Sequence, residues 1–192
     1  PPDSTYQNYA HERTLNQNEI DLILDWAKIG SPEGNPALAP TPPSYTAGSI
    51  LPNPDLILKI PTYTSNALNE DEYICFSLPT GLTDDKTIKA IEVVPGNRQI
   101  VHHTIAYLDS TNNTSSIVND CMGIDGKLLA GYTPGSEPTI FPNGSTTKMG
   151  MRLPANSNIV LQMHYPKGSV GLQDSTAIHL FFYPDNENNI RE

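Results

Sequence analysis

Proline and glycine punctuation constrains this chain more than any other feature. Beyond Asp55, the turn-rich clusters at 80–85, 109–116 and 154–157, with Pro95-Gly96-Asn97 and Pro142-Asn143-Gly144, cut it into short runs. Proline fixes φ and lacks a backbone donor, and glycine takes turn conformations that other residues resist. From Asp55 onward the residue pattern between these breaks is β and not helical. The runs read instead as strands at 56–60, 72–78, 87–94, 99–109, 147–153, 158–165 and 176–183. Many short strands without intervening helices predict an all-β fold, an antiparallel sandwich of jelly-roll-like form.

The segment before them differs. One helix is predicted over 14–30, where Asn16 can cap the first turn and Glu19 can complete a capping box. Ile20, Ile23, Leu24 and Ala27 recur at helical spacing, and Gly30 fits just beyond the end. Trp26 is expected to help pack this helix on the main domain. Residues 31–54, SPEGNPALAPTPPSYTAGSILPNP, are too rich in proline for regular structure and read as an extended linker. Three parts are thus expected: a helical piece at 1–30, a linker at 31–54 and a β-sandwich at 55–192.

Charge and hydropathy narrow the function classes. A net charge of −10 argues against nonspecific nucleic-acid binding, and no basic stripe is interleaved with aromatics. The apolar runs are strand-sized, so no membrane-spanning helix is expected. The opening PPDSTYQNYAHERTL reads as a cut through a longer polypeptide. Cys75 and Cys121 lie in no C-x-x-C pattern and are either two buried thiols or one disulfide.

The chemistry-bearing residues are histidines. His102 and His103 are adjacent in QIVHHTIAYLD, and His164 lies in VLQMHYP. Successive side chains on a regular strand face opposite ways, so His102 and His103 can share an ion only if the backbone bends between them. Pro95-Gly96-Asn97 just upstream gives room for that bend. Three neutral imidazoles without a thiolate suit copper or zinc, and the ligand type alone leaves both open. His11 and His179 read as ordinary residues, the latter satisfied by a backbone acceptor within its strand. Glu70-Asp71-Glu72 and Asp84-Asp85 read as solvated surface, and Met149, Met151 and Met163 as core. G-x-S-x-G, H-E-x-x-H and phosphate-cradling glycine loops are all missing.

Four phrases, DEYICFSLP (71–79), PGNRQIVHHTIAYLD (95–109), GYTPGSEPTIFPNGS (131–145) and LPANSNIVLQMHYP (153–166), together resemble the copper type II, ascorbate-dependent monooxygenase family. This is the family of the peptidylglycine α-hydroxylating and dopamine β-monooxygenases. The resemblance implies the first of that family's two copper-bearing, jelly-roll-like domains, which transfers electrons. It implies His102, His103 and His164 as ligands of one copper ion, with Tyr73 and Gln162 close around it. It also implies a Cys75–Cys121 disulfide, and hence a periplasmic or extracellular setting. The family's second domain carries an H-x-H motif that this chain lacks, so the hydroxylating half would be a partner domain.

YAHERTLNQNEIDLILDWAKIGSPEGNPALAP (9–40) more weakly resembles the last helix and exit of a c-type cytochrome domain. Such domains occur fused to monooxygenase-like domains in bacteria. With no C-x-x-C-H here, no haem is expected in this chain, though a haem domain of a parent protein could supply electrons. Two other readings stand beside the electron-transfer domain. One is a mononuclear zinc or copper enzyme complete in one domain, and the other is a non-catalytic binding or assembly module.

Overall fold

The computed structural model describes residues 14–42 and 48–192, which form two compact units. His11 lies outside the described residues. In the first unit, helix α1 (Gln17–Lys28) starts as its sequence predicts. The Asn16 side chain accepts from Glu19 N at 3.1 Å, and Glu19 accepts from Asn16 N at 2.8 Å. These bonds satisfy backbone donors that the first turn leaves unpaired. The residues of the helix are not buried, and the Trp26 indole donates within this unit to Pro32 O at 3.0 Å. A 3₁₀ turn at Pro36–Leu38, capped by Asn35, interrupts the proline-rich stretch.

The second unit is all strand and turn. In chain order its strands are β1 (Leu56–Lys59), β2 (Tyr63–Thr64), β3 (Glu72–Pro79), β4 (Lys86–Val94), β5 (His103–Asp109), β6 (Ile117–Asn119) and β7 (Lys127–Tyr132). There follow β8 (Thr139–Ile140), β9 (Lys148–Met149), β10 (Met151–Leu153), β11 (Asn158–Tyr165), β12 (Gln173–Asp174), β13 (Ala177–Phe182) and β14 (Ile190–Arg191). One five-stranded sheet, the back sheet, runs β1-β13-β4-β10 with β8 also on β4. The other, the front sheet, runs β6-β3-β11-β5-β7. All pairings within both sheets are antiparallel, and neighbours such as β3 and β11 are distant in sequence. Such wiring is that of a Greek-key or jelly-roll sandwich.

The core lies between the two sheets. Ile74, Phe76, Ile159, Leu161 and Met163 from the front sheet meet Ile88, Ile91, Ile178 and Leu180 from the back sheet. Fully burying side chains of this size contributes about 1.5–3 kcal/mol each. Alternation along β11 then sends Val160, Gln162 and His164 to the other face of the front sheet. Part of that face is covered, because Val160 packs with the Cys75–Cys121 disulfide, Val118, Tyr107 and Ile124. Among the described residues, no helix is long and apolar enough to cross a membrane.

The predicted strand at 99–109 begins only at His103. Residues 97–101 form a turn, with Ile100 N and Val101 N both donating to Asn97 O, at 3.2 and 3.1 Å. The single strand expected over 147–153 divides into β9 and β10 at Gly150. There a Cβ would come within 2.8 Å of Ile88 O, so the chain passes too close to β4 for a side chain.

Candidate metal centre

The outer face of the front sheet carries the histidines. In the register of β11, His164 lies opposite His103 of β5 on one side and opposite Tyr73 of β3 on the other. Directly opposed residues on one face of a sheet come within side-chain contact. His103 and Tyr73 thus flank His164 as a consequence of strand pairing alone.

His102 arrives by a different device. It precedes β5, and the turn before it is tied to the end of β12 and to the loop that follows it. Asn97 N donates to Asp174 Oδ1 at 2.8 Å, and Gly96 N donates to Thr176 Oγ1 at 3.2 Å. Asp174 is itself buried and accepts from the Tyr165 hydroxyl at 3.0 Å. His102 N then donates to His164 O at 3.0 Å, which ties its backbone to β11 just outside the regular strand. The strict alternation of a strand therefore stops between His102 and His103, and both rings reach the same place.

The three rings converge through one kind of nitrogen. His103 Nδ1 lies 3.4 Å from His102 Nδ1 and 3.1 Å from His164 Nδ1. One ring nitrogen from each histidine lies within 4.8 Å of the others, and among the described residues no other trio of histidine, cysteine or carboxylate groups does so. Accessibility is graded: His164 is buried, His103 half-buried and His102 exposed. Burial first, and then the neighbouring His164 and His102, lower the pKa of His103. Both effects favour the neutral ring, the form that binds metals. Three imidazole donors without a thiolate fit copper or zinc.

The surroundings of the trio sort the remaining expected residues. Tyr73 stacks on His164, with ring centroids 4.3 Å apart and planes 12° from parallel. Gln162 lies on the same face of β11 as His164, and its amide donates to Cys121 O at 2.7 Å, which joins β11 to the disulfide-bonded segment. Cys75 and Cys121 form the disulfide, on the same face of β3 as Tyr73. Met163 faces the core, where Thr104 donates to its sulfur at 3.5 Å. His179 is elsewhere, in the back sheet, with Ser49 Oγ 3.1 Å from its Nδ1.

One neighbour escaped the sequence reading. Asp71, expected to be solvated surface, sits with Oδ2 2.8 Å from His164 Nε2, and its Oδ1 accepts from Lys167 N at 2.9 Å. The Lys167 backbone donor and then His164 hold the Asp71 carboxyl below its usual range. Glu72 is also engaged, accepting from the Tyr63 hydroxyl and from Asn66 N. Nothing in the local sequence distinguishes Asp71 from an ordinary loop acid. Its partner arrives only when β3 and β11 pair.

No protein-family model and no curated protein matches this chain.

Proposed function

We propose that His102, His103 and His164 hold one copper ion and that the β-sandwich is an electron-transfer domain of a monooxygenase-like protein. The observation that carries this reading is the convergence of three histidine Nδ1 atoms on one face of a stiff sheet. Copper held there would supply one-electron exchange between its cuprous and cupric states. The chain's own contribution is to keep the donors in place. Two of the rings are set by strand register and the third by a turn with at least four hydrogen bonds, so little needs to move between oxidation states.

The resemblance to the copper type II monooxygenases supports copper over zinc and supports a second copper-bearing sandwich domain as electron acceptor. It also supports a c-type cytochrome domain as a donor within a parent protein. The Cys75–Cys121 disulfide supports a periplasmic or extracellular location, since cytosolic thiols are kept reduced.

The test is metal analysis of the chain purified without chelators. One copper per chain is expected, and His164→Ala is expected to abolish stoichiometric binding. Unchanged copper in that variant would overturn the assignment. The exposure of His102 favours a second reading, because solvent could supply a fourth ligand in a mononuclear zinc or copper enzyme. Zinc in place of copper, with hydrolytic turnover by this chain alone, would select it. No metal at all would select a binding or assembly module.

A further inference from the structure

Three features converge on one ring of the trio. His164 is buried, Tyr73 stacks against its plane, and Asp71 Oδ2 lies 2.8 Å from its Nε2. An ionised carboxylate only accepts hydrogen bonds, so Nε2 must carry the proton. In a neutral ring the lone pair then sits on Nδ1, the atom that faces His103 Nδ1 at 3.1 Å. Asp71 is itself anchored, because Lys167 N donates to its other oxygen at 2.9 Å. Among the described residues, neither His102 nor His103 has a carboxylate within hydrogen-bonding distance. The stack fixes the plane of the His164 ring, and the carboxylate fixes its rotation and its tautomer.

We infer that Asp71 is the positioning residue of this centre, selecting the Nδ1-donor form of His164 and making it the strongest of the three donors to a cupric ion. A carboxylate behind a ligating imidazole increases the ring's electron donation toward the metal, which favours the more highly charged oxidation state. The inference rests on the reading of the trio as a copper site. It adds that the three ligands are unequal, with His164 the fixed one and the exposed His102 the adjustable one.

The test compares the full chain with its Asp71→Ala and Asp71→Asn variants. Cupric ion is titrated against a competing chelator, and the electron paramagnetic resonance spectrum of each loaded protein is recorded. Asp71→Ala is expected to weaken cupric affinity by about 10–100-fold and to alter the copper hyperfine splitting. Asp71→Asn keeps the shape and one acceptor oxygen but loses the charge, so an intermediate loss is expected. It also keeps the question answerable if the alanine variant does not fold. Unchanged affinity in both variants would overturn the inference while leaving copper binding intact. Weaker binding with an unaltered spectrum would also overturn it, since a purely structural role in the loop predicts that result. Wild-type chain that takes up no copper would overturn the copper reading, and this inference with it.

Discussion

Gly96 shows how much of the centre rests on a residue that touches no ligand. Its backbone passes so close to the loop between β12 and β13 that an added Cβ would meet Ser175 N at 2.5 Å and Ser175 C at 2.7 Å. Backbone atoms cannot step aside as a flexible side chain can. Gly96→Ala must therefore push the 95–101 turn away from Asp174, and with it the support of His102. Overpacking of this kind costs about 1–3 kcal/mol. We expect Gly96→Ala to lower the melting temperature and to weaken copper binding, while His103 and His164 keep their strand register. Calorimetry with a parallel metal titration checks both effects. A fall in stability with unchanged affinity would show that His102 does not depend on the turn. Asp71 belongs at this scale too, since its influence passes through a single hydrogen bond.

At the scale of elements, β5 links the site to the disulfide-bearing segment. Its first residue is His103, and its last, Asp109, organises the loop toward β6. Asp109 is buried and accepts from Thr111 N, Thr111 Oγ1, Asn112 N and Thr114 N at 2.7–3.0 Å. Burial pushes its carboxyl up, but the hydrogen bonds from Thr111 and Thr114 outweigh that and hold it well below the usual range. A carboxyl whose folded pKa is depressed stabilises the fold above its unfolded pKa, and that stability is lost as pH falls through the folded value. Asp109→Asn should therefore cost about 1–3 kcal/mol near pH 7, where a charged acceptor is lost. The gap from wild type should narrow as the pH falls below about 4, the unfolded carboxyl range. Denaturant unfolding at pH 7 and pH 3 measures both, and a gap that widens in acid would contradict the account.

Across the whole molecule, the front sheet has two faces with different roles. One seals the core, and the other is covered by the 117–124 segment at one end and carries the histidines at the other. The disulfide closes a loop of 46 residues and holds that segment on β3. A loop of this length corresponds to about 4 kcal/mol by restriction of the unfolded chain. The double variant Cys75→Ser with Cys121→Ser should lose about 2–5 kcal/mol in urea unfolding. It should also release the Gln162 contact to Cys121 O, next to His164 along β11. A double variant as stable as wild type would show that the bridge is not what holds the segment down.

Much of this was legible from residues in order. The capping pair Asn16 and Glu19, the alternation of β11 and the absence of long helices follow from local chemistry, because each depends on neighbours close along the chain. The short strands β2, β8, β12 and β14 were not legible, since two residues carry no periodicity. Local pattern also extended β5 back to Gln99, because the turn at 97–101 is anchored by Gln173, Asp174 and Thr176, from far along the chain. The histidines themselves were visible as residues suited to a metal, yet alternation alone held His102 and His103 apart. Their convergence, and the carboxylate of Asp71 behind His164, arise when β3, β5 and β11 pair in register. Ligand chemistry is a property of side chains and could be read in order. The position of each donor atom is a property of long-range pairing, which exists only in the folded sheet.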